Sequence, residues 1–392
     1  MNAKTRVHGM DGSLVEPDWP PLETAEVRAL LAEYPRLAGG AEILSASPRP
    51  FSAASVVRAG RERVFVKRHA RSVRDREGLL EEHGFLSHLL AQGAPVPRVL
   101  ATSAGETAVE RGEWTYEVHA IPAGIDLYEE AVSWTPFRSL PHARSAGALL
   151  GQLHEAARGY GAPARKVQPL VTSFSIFSSN DPWNAFREYC TARAGLHGDD
   201  EVRQRGERAL ELLEPFHAEL KPLLPALAPL WTHNDLHASN LFWSGSSKTS
   251  KAVAAIDFGL ADRTNAVHDL AQTIERNMVE WLTLVNDPSH PENVAVDTAG
   301  LDALLAGYTS VRSLSEAEAA ALAPMLALCH VEFALTEADY FLGVLHSREK
   351  ARTATDGYLV GHAEWFLSAA GQRMLDRIRA WATTRTGEAH AR

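Results

Sequence analysis

Residues 231–240 read Trp-Thr-His-Asn-Asp-Leu-His-Ala-Ser-Asn, and residues 251–259 read Lys-Ala-Val-Ala-Ala-Ile-Asp-Phe-Gly. Short apolar runs frame a cluster of His, Asn and Asp: Leu227–Thr232 before it, Leu241–Trp243 after it, and Val253–Ile256 leading to the second Asp. Polar residues packed this tightly between strand-like runs are costly to bury without a task. Asp235 and Asn240 stand five residues apart on a loop, and Asp257 closes the next strand 22 residues after Asp235. Two carboxylates and an amide from adjacent strand ends make an oxygen-rich site for Mg²⁺ and phosphates. One of the carboxylates is also able to orient or deprotonate a hydroxyl. An Asx-rich turn beside a β connection would explain any one of these residues, but not the combination.

Working outward, the chain has 392 residues, 45% hydrophobic and 22% charged, enough for one large core or two lobes. A net charge of -10 argues against nucleic acid as the main partner and permits a cationic substrate. Cys190 and Cys329 give neither a disulfide framework nor a thiolate metal site. The stretch from Met1 to Pro21 carries Asp11, Glu16 and Asp18 and does not read as a signal peptide. No run of about 18 uncharged apolar residues suggests a membrane span. The expectation is a soluble cytoplasmic protein, monomer or homodimer, with disorder over residues 1–18.

Thr24 to Tyr34 reads as an accessory helix capped by Thr24 and followed by Pro35. Residues 47–55 form a loop, and strands are expected at 56–58, 63–68, 96–101, 107–110 and 114–121. Phe65 and Lys67 share one side of their strand, which turns Lys67 toward a cleft. Arg74 to Gln92 is helical, with Gly93 as C-cap. In that helix Glu82 has Leu79, Phe85, Leu86 and Leu89 around it, so it lies in the apolar stripe and needs a cation; Lys67 is the expected partner.

His233-x-Asp-x-His-x-x-Asn240 followed by Ile256-Asp-Phe-Gly259 resembles the aminoglycoside phosphotransferase and choline kinase superfamily. The resemblance implies an α+β, bilobal protein-kinase-like fold, with a five-stranded antiparallel sheet and one helix in the N-lobe. It implies a mostly helical C-lobe with an enlarged helical subdomain, and transfer of a nucleotide γ-phosphoryl group, from ATP or GTP with Mg²⁺, to a small hydroxylated molecule. Asp235 would be the catalytic base, and Asn240 and Asp257 the metal ligands. Lys67, held by Glu82, would meet the α- and β-phosphates. The family pattern Glu-x-x-x-Leu-x-x-Leu ending in Pro-Val-Pro also matches Glu82, Leu86, Leu89 and Pro95-Val-Pro97. The loop over the phosphates has no glycine; Ser52 and Ser55 stand where hydroxyls would donate to phosphates. His119 to Ile121 would offer backbone groups to the nucleobase. His233 would hold the loop, and Asp269 in His268-Asp-Leu-Ala271 would brace it from behind. His237 replaces the Lys that protein kinases carry two residues after the catalytic Asp, which points to the small-molecule branch.

The implied layout is an N-terminal extension over 1–40, a nucleotide lobe over 41–121 and a helical lobe with the acceptor site over 122–392. In the second lobe, helices are expected at 142–157, from Asp181-Pro182, at 201–214 with Pro215 ending or kinking it and Phe216–Leu220 continuing as a short turn, and at 269–286, 297–310, 315–345 and 354–384. Glu332 and Asp339 are seven apart and share a face, Trp365 could stack on a ring, and His237 lies beside Asp235; these are the acceptor candidates. The acidic helices fit an aminoglycoside or another antibiotic. Homoserine, choline or a sugar alcohol are equally legal by motif, and a catalytically silent nucleotide binder is the alternative of a different class.

Overall fold

Apolar residues alternate with polar ones along 114–120, and β-branched valines recur along 56–66; the two-residue period of extended chain builds from them a sheet with two unlike faces. The computed structural model describes residues 7–8, 13–47, 49–287 and 289–390; of 7–8, 14 and 385–390 it describes the backbone alone. Part of the segment expected to be disordered, and Pro48 of the 47–55 loop, lie outside the described residues. Within that segment β1 (Val7–His8) pairs antiparallel with β2 (Leu14–Val15).

α1 (Thr24–Leu31) follows, with Glu23 rather than Thr24 at the N-cap; the Glu26 carboxylate accepts the Glu23 N–H at 3.1 Å. The sheet strands are β3 (Glu42–Ala46), β4 (Ala53–Ala59), β5 (Glu62–Ala70), β6 (Ala108–Arg111) and β7 (Trp114–Ala120), in the order β3-β4-β5-β7-β6. α2 (Arg76–Ala91) lies between β5 and β6 in the chain, with Asp75 as N-cap. The sheet has five strands as expected, but not the expected five. Residues 42–46 supply an edge strand, whereas 96–101 contributes only the bridge from Val99 to His119. Pro95 and Pro97 remove two backbone donors there, which prevents a continuous ladder. One sheet face is an apolar core with α1: Val27, Leu30 and Leu31 pack with Val57, Val64, Val66 and Val118. The opposite face, beneath α2, carries Lys67, His69, Glu117 and His119.

After the hinge at 121–124 come α3 (Leu140–Ala157), α4 (Pro182–Thr191) and α5 (Asp200–Leu220). α5 continues through Pro215, because Leu213, Phe216 and Leu220 are buried and outweigh the lost hydrogen bond. β8 (Pro229–Thr232) pairs with β11 (Asp262–Asn265), and β9 (Leu241–Trp243) with β10 (Ala252–Ala255). Then follow α6 (Ala266–Met278), α7 (Trp281–Asn286), α8 (Thr298–Thr309), α9 (Glu316–Leu328) and α10 (His330–Gly343). The last elements are α11 (Arg348–Arg352), a π-helical stretch Thr353–Gly361, α12 (His362–Leu367) and α13 (Ala369–His390). Glu316–Gly343 is long and apolar enough to cross a bilayer, but 94% of its most apolar window is buried inside the protein, so it is a core helix.

A strap ties the lobes together. The Trp19 indole packs edge-on against Trp114 of β7 at 5.7 Å and donates to the Tyr340 hydroxyl of α10 at 3.1 Å. Tyr340 donates to Asp18, which also pairs with Lys350. Phe51 packs against the same Tyr340 at 5.4 Å.

α3 and α8 cross with their backbones in near contact. A Cβ on Gly147 would stand 2.0 Å from the Leu304 carbonyl oxygen, and one on Gly307 would stand 1.8 Å from that of Arg144. Glycine at these crossings lets His154 of α3 and Tyr308 of α8 meet. Gly307→Ala is expected to lower unfolding free energy by about 2 kcal/mol or more through overpacking. Urea denaturation of the variant beside wild type measures this.

Candidate functional site

Asp269 is fully buried at the start of α6 and organises the 233–240 loop. Its carboxylate accepts the backbone N–H of His233 at 3.0 Å and of Asn234 at 2.8 Å, and lies 3.0 Å from His154 Nε2. Burial alone would raise its pKa; the His154 ring and His233 hold it below the usual value. Asn234 adopts φ 60°, as does Asp257 at 62°, a conformation uncommon for residues other than glycine. Asn234 is held there by its side chain, which donates to the Thr172 carbonyl at 3.0 Å and accepts from Thr232 Oγ1 at 2.8 Å.

His233 bridges the two motifs. Its Nε2 donates to the Ile256 carbonyl at 2.9 Å, and its Nδ1 accepts the Asp235 N–H at 3.1 Å. That pattern requires a neutral ring, and burial lowers its pKa accordingly. Asn240 Nδ2 donates to the Asp235 carbonyl at 2.9 Å and to Asp235 Oδ2 at 3.1 Å. Its amide nitrogen is therefore engaged, and its oxygen is the atom left to receive a ligand.

Two adjoining cavities meet at this loop. The larger lies between the sheet and the second lobe. Ala54, Val56, Phe65 and Lys67 line its roof, His119 to Pro122 its hinge side, and Asn240, Ile256 and Asp257 its floor. The smaller contains Asp235 and His237 with Trp134, Phe333, Glu337 and Tyr358. Arg49, Ser52, Lys67 and Asp257 border both. Lys67 Nζ donates to Asp257 Oδ1 at 2.8 Å. Burial would raise Asp257, but Lys67 brings it down to about 2. Lys67 is held above its usual value against the same burial, by Asp257 first. Asp257 turns 40% of its side chain to the open cavity, so this pairing is open to rearrangement by whatever enters.

Several expected placements change. Lys67 pairs with Asp257, not with Glu82. Glu82 is buried on the inward face of α2, borders the larger cavity and lies 3.9 Å from the Arg165 guanidinium. Ser52 borders both cavities, but Ser55 is inside β4 and points away from them. Its neighbours Ala54 and Val56 take the cavity side, and the two-residue period sends Ser55 toward α1. His119 and Ile121 both line the larger cavity. The acceptor candidates fare differently. Glu332 accepts from Ser175 Oγ at 3.0 Å and from the Ile176 N–H at 2.7 Å, knitting the 172–179 loop to α10. Asp339 accepts the Gly195 N–H at 2.8 Å. Trp365 is fully buried, edge-on to Trp281 at 4.9 Å. None of the three borders either cavity; Phe333 and Glu337 of the same helix do. The face of α10 that borders the smaller cavity is thus a different one from that of Glu332 and Asp339. The chain is apolar without a break along 319–329, and the polar residues that follow, His330, Glu332, Thr336, Glu337 and Asp339, are all buried and spread around the helix, so polarity alone does not mark the cavity side.

The sequence also hid Arg276. Its Nη1 lies 3.1 Å from Asp235 Oδ1, donates to Gln272 Oε1 at 2.7 Å and to the Asn234 carbonyl, and its guanidinium sits 4.4 Å from the Phe333 ring centre. His237 contacts Ser239 Oγ at 2.9 Å and lies 3.8 Å from Asp235 Oδ2; burial and then Arg49 hold its pKa far down, so it is neutral. Asp235 itself is raised to about 7, chiefly by burial and with a further push from Asp257, against the pull of Arg276.

Comparison with known proteins gives a consistent pattern. The family model described as "Phosphotransferase enzyme family" matches residues 48–314. A homoserine kinase of Agrobacterium fabrum is 26% identical over 251 residues, spanning 62% of this chain and 63% of that protein. A homoserine kinase of Nitrobacter winogradskyi is 28% identical over 270 residues, 67% of this chain and 68% of its own. The solved structure of a microcompartment-associated aminopropanol kinase superposes with a TM-score of 0.56 at 20% identity, covering 89% of this chain and 99% of that one. At that identity the likeness shows the shared fold, and the α+β bilobal architecture agrees with it.

The raised pKa of Asp235 has a consequence for stability. The folded chain retains a proton that the unfolded chain releases above about pH 4, so this group's contribution is fully present below that pH and is lost as pH rises through about 7. Asp235→Asn removes the penalty. Its stability relative to wild type, in the ligand-free protein, is expected to climb between pH 4 and 7 by about 4 kcal/mol. Denaturation series at several pH values measure the difference, and a flat difference contradicts the raised pKa.

Proposed function

The chain belongs to the phosphotransferase enzyme family, and we propose that it transfers the γ-phosphoryl group of a nucleotide to the hydroxyl of a small amino alcohol, with homoserine the best match. The observation that carries this reading is the pair of cavities meeting at Lys67, Arg49 and Asp257, with Asp235 on the smaller side. The larger cavity takes the nucleotide, with its base toward the hinge and its phosphates toward Lys67. The smaller takes the acceptor, so that its hydroxyl faces Asp235.

The donor set at the junction fits Mg²⁺. Asp257 offers carboxylate oxygen, and Asn240 offers its amide oxygen because its nitrogen is engaged by Asp235. These two residues would hold the ion, which when bound neutralises charge on the β- and γ-phosphates. Lys67 exchanges its contact with Asp257 for phosphate oxygens. Asp235, fixed by Arg276 and Asn240, aligns the acceptor hydroxyl and receives its proton. The oxygen then bonds to the γ-phosphorus as the bond from that phosphorus to the bridging oxygen breaks, and the nucleoside diphosphate leaves.

Charge in the smaller cavity selects the acceptor. Glu337 Oε2 is buried without a hydrogen-bond partner among the described residues, and burial pushes its pKa well up until a cation arrives. Arg49 Nη1 is likewise buried and unpartnered among them. One carboxyl and one guanidinium across a compact space walled by Trp134, Phe333 and Tyr358 suit a zwitterionic amino acid. The relatives named homoserine kinase support the same acceptor. A bulky aminoglycoside fits the space poorly. The dependence on cellular nucleotide agrees with a cytoplasmic enzyme.

A nucleotide-consumption assay with Mg²⁺ tests this, with ATP and GTP offered against homoserine, choline, aminopropanol and aminoglycosides. Homoserine is expected to turn over, and Asp235→Asn to lower kcat by about a thousandfold while nucleotide binding persists. Glu337→Gln is expected to raise KM for homoserine about tenfold or more and leave KM for nucleotide unchanged. Turnover of aminoglycosides without turnover of homoserine would overturn the acceptor assignment; turnover surviving in Asp235→Asn would overturn the role of Asp235.

A further inference from the structure

The layer between α2 and the sheet is built of charges and imidazoles where a helix–sheet interface ordinarily holds aliphatic side chains. Glu117 of β7 is its centre. Its Oε2 lies 2.9 Å from His83 Nε2 and 2.7 Å from His119 Nε2, and its Oε1 lies 3.0 Å from His69 Nε2. The side chains are nearly closed to solvent, at 4% exposure for His83, 1% for Glu117 and 11% for His119. Three separate elements deliver them: α2 supplies His83, β7 supplies Glu117 and His119 by its two-residue alternation, and β5 supplies His69. The phosphoryl-transfer chemistry uses none of these side chains.

The geometry points to a site for a divalent transition-metal ion, zinc in class, held by His83 Nε2, Glu117 Oε2 and His119 Nε2. These three donor atoms all lie within 4.8 Å of one another, and two imidazoles with one carboxylate form a recognised zinc donor set. Two outer contacts support the assignment independently. His83 Nδ1 lies 2.9 Å from Thr107 Oγ1, and His69 holds the carboxylate oxygen that the ion would not use. Such contacts fix the tautomer of a ligating histidine and the tilt of a ligating carboxylate. Glu117 and His119 also border the larger cavity, so the ion would sit at the edge of that space. The ion would cross-link α2 to β7, and it is distinct from Mg²⁺ at Asn240 and Asp257, whose donors are oxygens alone. Lys67 is a neighbouring cation, and Glu117, Glu82 and Asp257 counter both charges.

The test uses the untagged full chain, stripped with a chelator and re-equilibrated with Zn²⁺ in excess Mg²⁺, followed by metal analysis by atomic emission. Wild type is expected to retain one zinc per chain, Asp257→Asn to retain it too, and His83→Gln and His119→Gln to lose it. Co²⁺ in place of Zn²⁺ is expected to give a visible ligand-field band that the two histidine variants lack. Should those variants fail to fold, Thr107→Val and His69→Phe leave the three ligands in place and are expected to weaken zinc binding about tenfold or more. Zinc retention by wild type no greater than by His83→Gln, loss of zinc in Asp257→Asn, or unchanged affinity in both Thr107→Val and His69→Phe would each overturn the assignment.

Discussion

The buried carboxylate of Asp269 is the constraint on which the site depends. Two consecutive backbone N–H groups, of His233 and Asn234, can point at one carboxylate only if the chain turns sharply between them. Asn234 therefore takes a left-handed conformation, and Asp235 projects into the cleft instead of continuing the line of β8. His154 and Tyr308 stand behind Asp269 and bring α3 and α8 into the same support. The close glycine crossing of those helices is thus part of the loop's geometry, though it lies well behind the cleft.

Around that anchor the protein buries many polar groups, and most are matched in sets. Arg276 meets Asp235, Gln272 and the Asn234 carbonyl; Asn277 accepts the Ala238 N–H at 3.0 Å and donates to the Leu236 carbonyl at 3.0 Å. One turn of α6 thereby fixes the loop from residue 234 to 238. Buried sets of this kind are strong when complete and costly when one member is removed. Among the buried polar atoms left without a partner in the described residues, Glu337 Oε2 and Arg49 Nη1 stand out because their residues line the smaller cavity.

The parts legible in the sequence were those set by local rules. The His-x-Asp loop and Asp-Phe-Gly lie on adjacent strand ends, Asp181 and Pro182 open α4, and the two-residue period turned Lys67 toward the cleft. The acid pairing with Lys67 was not legible. Helical periodicity placed Glu82 on the inward face correctly, but it could not rank that acid against Asp257, 190 residues away in the chain. The residues lining the smaller cavity were not legible for a related reason. In α10 both Glu332 and Glu337 are buried, so burial pattern alone could not say which faces protein and which faces a cavity. Pro95 and Pro97 were visible in the chain, and weighing their missing donors would have removed the false strand at 96–101.

The strap at Asp18 and Trp19 gives the two lobes a second junction. The first is the hinge, where the Ile125 N–H donates to the Trp243 carbonyl at 2.9 Å and the Trp243 N–H donates back to Ile125 at 2.9 Å. The second is the meeting of Trp114, Trp19, Tyr340 and Phe51. A third lies beneath α2, where Arg165 donates to the Gly78 carbonyl at 2.6 Å and Arg74 to the Gly259 carbonyl at 2.8 Å. The N-terminal residues thus add a tie between the lobes that passes through neither the hinge nor α2.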